Sequence, residues 1–573
     1  MSTSFIVEFA KTRGAETKER NIRQSQLSIK DTDYQVELFR PASKSARTGG
    51  RDETYIFRTE NESGKSPWEE AHELYEHFKS EGKQLEYVEP ETTHILFDPR
   101  TLPKSKMAGS LGYLNNWPRP QPELRHGWHL EDEFSQLKKA RDIAAPYFEN
   151  GKVVKIAHFD TGYDRNHPCL PKNLNTAEAQ CFIDGEEGNY AWDVEKGTGL
   201  EQQWHGQATL AILAGGYVDS FDGKEKFGTE FGGAPLADVV PLRIADSVAL
   251  LKTASFAKAL DYAVEIGCEV VTMSMAGLPS MRWARAVNNA YEKGVTIVVA
   301  AGNSWIEGSK KFLPPCVLYP GRWGRVIAAT GIACNKFPYI FEANPFFKPG
   351  HSEGLSHSEF MQGNFGPGSA MKAALAAFTP NLPWAAHMGG DNWWSLSGGG
   401  TSSATPQVAA AAALWIQRYR KELESAGYTG TWKQVEAVRH ALFNSAEKNF
   451  ENYEKFYGNG ALKAADALDP KWFPKESDLN MTERATLFMP LIELFFGSRK
   501  AAGGSPIQEE MLMTELLQLA HLEPDLQKLL TLDVSKEDVL ERKNLPQTDE
   551  LMELRFAVKQ TNCSRQLKEA MGF

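Results

Sequence analysis

The sequence predicts an α/β protein: an open, mostly parallel sheet with helices on both faces, a small N-terminal α+β domain and a helical C-terminal extension. Three observations carry this expectation. From Lys152 onward, apolar runs alternate with helical patterns, and the runs are continuous, as in Val295-Thr-Ile-Val-Val-Ala-Ala301, the pattern of strands covered on both faces. Residues 100–127 are rich in Pro, Gly and Asn, the composition of an extended boundary. Beyond Pro470 the composition turns helical. A chain of 573 residues is well above the ~150 usual for one domain, so two or three domains are expected. The division is 1–98, an α+β domain; 99–149, a linker and lead-in helix; 150–470, the α/β domain with an insertion at 335–395; and 471–573, the extension.

In the first unit, strands are expected at 5–9, 35–39, 54–58, 85–90 and 94–97, with a polar loop at 43–51. Ser66-Pro67-Trp68-Glu69 is a capping box with proline at the first helical position, opening a helix to about Ser80. A helix is expected over 130–148. Strands follow at 153–159, 238–243, 269–275, 295–301 and 326–331, with helices near 206–214, 251–266, 281–293, 405–426 and 431–446. Residues 335–395, rich in Gly, Pro, Phe and Trp, show few regular signals, and a loop that long is more often functional than idle. Amphipathic helices are expected at 511–522 and 526–532, broken at Pro524, and at 554–571, after a flexible hinge at 499–506.

Composition excludes several classes. A net charge of −11 gives no electrostatic basis for binding nucleic acid or an anionic membrane. The most apolar windows, 408–415 and 487–496, are far shorter than the ~20 residues of a membrane span. Met1-Ser-Thr-Ser-Phe5 has no charged start leading into an apolar core, and the six cysteines show no CxxC spacing, so free thiols and cytoplasmic residence are expected.

Four short stretches carry chemistry. Gly398-Gly399-Gly400-Thr401-Ser402-Ser403-Ala404-Thr405-Pro406 couples a glycine run to a hydroxyl and a helix start, with Pro406 expected in the first turn. Ser402 there stands beside unpaired backbone N–H groups at a positive helix end. Asp160 ends an apolar strand and precedes Thr161-Gly162, at the carboxyl edge of the sheet where ligands bind. Trp204-His205-Gly206 puts a histidine at a helix start, its glycine leaving space for a substrate backbone. Ala300-Ala301-Gly302-Asn303 ends a strand with an amide able to donate to an oxyanion. Each alone has an ordinary reading as a turn, a cap or a buried structural residue. Together they supply an acid, a base, an oxyanion donor and a nucleophile on one sheet, in the order acid, base, nucleophile.

On these residues the chain resembles the subtilisin-like serine proteases, of an intracellular type with a prodomain-like N-terminal region. Asp160-Thr-Gly162, His205-Gly206, Ala300-Ala-Gly-Asn303 and Gly400-Thr-Ser-Ser-Ala-Thr-Pro406 match the family motifs. The resemblance implies a serine endopeptidase acting through an acyl-enzyme, with Ser402 as nucleophile, His205 as general base and acid, Asp160 orienting the imidazole, and Asn303 with the Ser402 N–H binding the oxyanion. Ser403 is set aside, because the family hydroxyl follows Gly-Thr directly.

The resemblance further implies that Ser274, Met275, Ala276 and Gly277 form an edge segment pairing with substrate backbone, with Asp246, Ser247 and Val248 as the opposite rim. Tyr457-Gly-Asn-Gly-Ala461 resembles the family's closing segment. Residues 1–98 resemble the prodomain, an intramolecular inhibitor and folding chaperone that makes the chain a zymogen. The partners expected are a polypeptide substrate, this N-terminal domain and a regulatory protein docked on the C-terminal helices, with no nucleic acid and no membrane. No cofactor and no catalytic metal are expected; a structural calcium ion is compatible with the family, yet no Asp-x-Asp-type loop is visible. Gln207 stands where the family has threonine, and the Val-x-Ala-Pro-Gly run before the serine is not recognisable. The competing readings are a partner-regulated effector protease docked through the C-terminal helices and an inactive peptide-binding module.

Overall fold

The computed structural model describes residues 3–10, 26–29, 32–39, 53–60, 64–95, 117–121, 126–149, 151–194, 204–221, 225–248, 250–307, 310–311, 315–347, 359–386, 393–487, 505–532 and 548–573. The loop expected at 43–51, most of the hinge at 499–506 and the apolar cluster 491–496 lie outside them.

Apolar β-branched runs with no polar face can be stable only inside a layered structure, and that is where they lie. Seven strands pair in the order Ala374–Phe378, Ile327–Ile332, Thr296–Ala300, Val270–Met273, Lys155–Asp160, Asp238–Arg243, Gln180–Cys181. Every pairing is parallel. The chain order reverses at Lys155–Asp160, flanked by Asp238–Arg243 on one side and Val270–Met273 on the other. A crevice at the carboxyl ends of strands opens where order reverses.

One face is covered by His205–Ala214 and by Thr401–Arg418, which crosses four of the strands. The alanines of Thr401–Arg418 are buried, and their small side chains let the helix lie close to the sheet. The other face carries Thr253–Glu265 and Met281–Glu292, packed on each other.

Three expectations are corrected. The helix expected from 405 starts at Thr401, runs to Arg418 and is followed by Arg420–Ser425, so Pro406 lies inside it rather than in its first turn. The helix expected over 130–148 is a 3₁₀ turn at Trp128–Leu130, a short helix at Leu137–Ala144 and a second 3₁₀ turn at Ala145–Phe148, where Pro146 interrupts the α ladder. The 335–395 insertion holds regular strands: Glu359–Gly363, Leu382–Ala385, and Ala374–Phe378 at the edge of the main sheet.

The N-terminal unit is a five-stranded sheet in the order Gln26–Ile29, Thr32–Leu38, Glu53–Thr59, Thr3–Phe9, Leu85–Pro90. The helix Pro67–Ser80 starts at Ser66, whose hydroxyl accepts from Glu69 N–H at 3.2 Å. The next strand, Thr93–Ile95, leaves this sheet and pairs antiparallel with Leu250–Lys252 of the larger domain. C-terminal helices occupy Pro506–Leu522, Lys528–Thr531, Thr548–Gln560 and Arg565–Ala570.

Pro506–Leu522 lies between the two other units. Trp68 Nε1 donates to Gln518 Oε1 at 2.9 Å, and Gln518 Nε2 donates to the Pro279 carbonyl oxygen at 2.8 Å. The N-terminal sheet, the outer helices and the C-terminal helices share one continuous apolar core.

Glu89 joins the N-terminal sheet to Met281–Glu292 as that helix's cap. Fully buried, its carboxylate accepts from Ser280 Oγ at 2.9 Å, Met281 N–H at 3.0 Å and Arg282 N–H at 2.9 Å. An anion at a helix N-terminus satisfies orphan donors and opposes the macrodipole. Burial nevertheless pushes the carboxyl up to about 7, against the pull of these donors. A pKa raised above its unfolded value gives stability that is full at low pH and is lost as pH rises through the folded value. Glu89→Ala is expected to lower stability by about 3 kcal/mol, since three buried donors lose their acceptor. Between pH 5 and 8 the wild-type Tm should fall by more than that of the variant; parallel Tm–pH curves would refute this role.

Candidate active site

The order of the strands brings the four motifs to one edge. Asp160 is the last residue of the strand at the reversal, Ser274 follows Val270–Met273, and Asn303 follows Thr296–Ala300 by three residues. His205 begins its helix, and Ser402 is the second residue of its own.

Asp160 has a fully buried side chain. Its Oδ1 accepts from His205 Nδ1 at 2.7 Å and from Thr161 N–H at 2.8 Å, and its Oδ2 accepts from Thr209 Oγ1 at 2.9 Å. Burial by itself raises a carboxyl pKa; here the neighbouring His205, then His158 and the Thr161 N–H, outweigh it and hold Asp160 below the ordinary carboxylate range. The imidazole is therefore oriented by an ionised acid through Nδ1, which leaves Nε2 for a substrate or a nucleophile. The imidazole and the Trp384 ring pack in an edge-type contact, centroids 5.6 Å apart.

The start of the His205 helix is fixed from outside. Trp204 takes a left-handed φ of 66°, and its N–H donates to Asp193 Oδ2 at 2.8 Å. Burial pushes the Asp193 carboxyl up to about 6. Gly206 is required by the protein's own backbone: a β-carbon there would stand 2.0 Å from the Gly162 carbonyl oxygen. The space expected for a substrate backbone beside His205 is thus filled by the Asp160-Thr161-Gly162 turn.

The serine side shows a similar economy. Proline 406 has no N–H, so the Ser402 carbonyl, four residues earlier, receives no helical hydrogen bond. It accepts instead from Ser274 Oγ at 2.9 Å, and Ser402 Oγ donates back to the Ser274 carbonyl oxygen at 3.2 Å. Ser402 is mostly buried, with 8% of its surface exposed. Gly400 supplies the turn with φ 74°. Asn303 Oδ1 accepts from Thr401 N–H at 2.9 Å, which orients the amide so that Nδ2 remains the donor, and Thr401 Oγ1 lies 3.0 Å from the Gly302 carbonyl oxygen and 3.2 Å from Asn303 Oδ1. Ser403 Oγ is turned away, donating to Thr379 Oγ1 at 2.9 Å and lying 3.0 Å from the Gly400 carbonyl oxygen.

The residues expected to contact substrate divide. Ser274 touches Ser402, while the side chains of Met275 and Ala276 are buried. Gly277 is committed elsewhere: its N–H donates to the Tyr319 carbonyl oxygen at 2.7 Å and its carbonyl accepts from Tyr319 N–H at 3.2 Å. Its place as a substrate-pairing residue is corrected accordingly. Asp246 forms an ion pair with the buried Arg243. Ser247 is buried and Val248 packs partly buried on the core.

Sequence reasoning missed Thr209, His158, Asp193 and Thr401. The readable signal was a polar residue inside an apolar strand, His158 in Lys155-Ile-Ala-His-Phe-Asp160, and another inside an apolar helix, Thr209. All six cysteines are free thiols. Among the described residues no group of three or more His, Cys, Asp or Glu side chains is placed to hold a metal ion, and no helix is long and apolar enough to cross a membrane.

This arrangement, a buried acid holding a histidine on a parallel sheet with a serine at a helix start, is that of a serine peptidase. The model of the subtilase family matches residues 151–460, more than half of the chain, and the chain belongs to that family. It is a subtilisin-like serine peptidase, a hydrolase whose substrates are polypeptides. Among its relatives, subtilisin DY of Bacillus licheniformis is 26% identical over 333 residues, 58% of this chain and 96% of that protein. Subtilisin Savinase of Lederbergia lenta is 27% identical over 330 residues, 57% of this chain and 96% of that protein. Subtilisin E of Bacillus subtilis strain 168 is 24% identical over 346 residues, 59% of this chain and 73% of that protein.

Gly206→Ala tests how tightly the acid and base are set. The added methyl must push the Gly162 carbonyl and the His205 helix apart, and a 1 Å misplacement costs on the order of 10² in rate. Peptidase turnover should fall at least that far in a protein that still binds its histidine helix; turnover within threefold of wild type would contradict the packing argument.

Proposed function

We propose that the chain is an endopeptidase that cleaves peptide bonds through an acyl-enzyme on Ser402. The observation that carries the reading is the 2.7 Å contact from His205 Nδ1 to the buried Asp160 carboxylate, with Ser402 in the first turn of its helix. Ser402 Oγ leaves the Ser274 carbonyl by rotation about χ1 and gives its proton to His205 Nε2 as it attacks the scissile carbonyl. Catalytic hydrogen bonds often close only in the substrate complex. Asn303 Nδ2 and the Ser402 N–H donate to the developing oxyanion, His205 returns the proton to the leaving amine, and water releases the acyl group by the reverse sequence. Asp160 holds the tautomer and stabilises the imidazolium. The freed Ser274 carbonyl, with Met275 and Ala276, pairs with the substrate main chain as an added strand.

Residues 1–98 serve as a retained inhibitor of this site, and the chain is in that sense a zymogen. In support, Thr93–Ile95 pairs with Leu250–Lys252, and His94 Nδ1 accepts from Leu278 N–H at 2.8 Å, one residue beyond the edge segment. His94 thus stands against the last residue of that segment, where a β-carbon on Gly277 would lie 2.4 Å from His94 Nδ1. The helices of 471–573 take the same side: Pro506–Leu522 hydrogen-bonds both to the N-terminal helix and to the peptidase domain, which supports packing on the core over docking of a regulatory protein. The six free thiols support a cytoplasmic setting.

Ser402→Ala should abolish hydrolysis of a generic peptide, and Asn303→Ala should lower kcat by ~10²–10³ with KM little changed. Hydrolysis that persists in Ser402→Ala would overturn the assignment. Intact-mass spectrometry of the wild type beside Ser402→Ala reads the zymogen: cleavage between residues 98 and 130 is expected in the wild type alone, and identical masses in both argue that the N-terminal unit stays covalently joined.

A further inference from the structure

Beneath the Asp160–His205 pair lies a second polar pair that the mechanism leaves unused. His158 precedes Asp160 by two residues on one strand, so both side chains leave the same face of the sheet. Thr209 follows His205 by four residues on one helix, so those two share a helix face. The strand and the helix pack together, and the four side chains close into a chain. His205 Nδ1 stands 2.7 Å from Asp160 Oδ1, Thr209 Oγ1 donates to Asp160 Oδ2 at 2.9 Å, and His158 Nε2 lies 2.8 Å from Thr209 Oγ1.

Two apolar side chains would fill this space at no desolvation cost, as they do along the rest of the helix, where Ala208, Leu210, Ala211, Ile212 and Leu213 are all buried. The polar pair has a directional consequence instead. A hydroxyl carries one proton, and Thr209 has two acceptors in reach: Asp160 Oδ2 at 2.9 Å and the Gly206 carbonyl oxygen at 3.2 Å. The nearer, charged acceptor takes it. The remaining bond, to His158, must then run the other way, with the ring proton on Nε2 donated to Thr209 Oγ1. Burial draws His158 down to about 4, against the opposing pull of Asp160, so its ring is neutral near pH 7 and does not compete with His205 for the carboxylate. Asp193 is the remaining titratable group close enough to sense Asp160, while Arg243 on the neighbouring strand is engaged by Glu186 and Asp246.

An aspartate carboxylate turns about a broad χ2 torsion, so one anchored oxygen does not fix the other. We propose that Thr209 and His158 are positioning residues for the reaction: the Thr209 hydroxyl clamps Asp160 Oδ2, and His158 locks that hydroxyl, so that Oδ1 stays aimed at His205 Nδ1 as the imidazole gains charge. The proposal rests on the reading of Ser402, His205 and Asp160 given above.

The test uses the full-length protein with Thr209→Val, which replaces the hydroxyl with a methyl of the same shape, and Thr209→Ser, which keeps it. In Thr209→Val, kcat should fall about tenfold with KM within twofold, the size of effect of one lost hydrogen bond to a charged group. The acidic limb of the kcat/KM profile should move to higher pH, because a carboxylate without its donor holds the imidazolium more tightly, and Thr209→Ser should restore both. A kcat within twofold of wild type with an unmoved limb overturns the inference, as does a loss that Thr209→Ser shares equally. If Thr209→Val does not fold, His158→Phe replaces it, because Thr209 Oγ1 then loses the donor that holds it in place against Asp160 Oδ2. A several-fold fall in kcat supports the inference there and wild-type kcat overturns it. If the wild type, once cleaved between residues 98 and 130, hydrolyses no peptide, the Ser402 reading fails. The far-downfield NMR resonance of the His205 Nδ1 proton then decides the positioning role: a shift in the variant supports it and an identical resonance overturns it.

Discussion

A carboxylate buried at the end of a central strand sets the terms for the rest of this site. An ionised Asp160 without partners would cost several kcal/mol, so the surrounding chain must bring donors to both of its oxygens. Three donors do so: Thr161 N–H in the turn after the strand, His205 at the helix start, and Thr209 one turn later on the same helix. Meeting that demand requires the helix to abut the turn, which explains the missing β-carbon at Gly206 and the left-handed Trp204 tethered to Asp193. The geometry that makes the charge tolerable is also the geometry that holds His205 Nδ1 on the carboxylate.

The serine side is built by leaving a helix incomplete. Pro406 removes one N–H, the Ser402 carbonyl is left for Ser274, and strand end and helix start are joined at the point where the hydroxyl stands. Thr401 orients Asn303 from the same first turn. Both sides depend on the reversal of strand order at Lys155–Asp160, which places Asp160, Ser274 and Asn303 along one sheet edge.

Much of this was legible in the sequence because its signals are local. Strand-end Asp160 and Asn303, helix-start His205 and glycine-flanked Ser402 each announce themselves by residue type and neighbours, and the apolar runs gave the sheet. The positional rules were less reliable where tertiary contact overrides propensity. Proline marks a first turn in isolation, yet Pro406 is accommodated inside a helix because Ser274 takes over the orphaned carbonyl. Ala374–Phe378 reads as neither strand nor helix, since alanine favours a helix while its place at the sheet edge demands a strand. Gly277 looked available to substrate because nothing nearby in the chain reveals Tyr319 as its partner. His158 and Thr209 lie 51 positions apart, and their meeting follows only from the packing of strand against helix. The bond from Trp68 to Gln518 spans 450 positions and had no local signature at all.

The central claim is that one hydroxyl, Ser402, is made nucleophilic by His205 held on Asp160. The most direct measurement is peptide mapping by mass spectrometry after reaction with a fluorophosphonate, which captures an activated serine as a stable adduct. The account predicts an adduct on Ser402, lost when His205 is replaced by alanine. An adduct on Ser403, or labelling of Ser402 that is indifferent to His205, would contradict it.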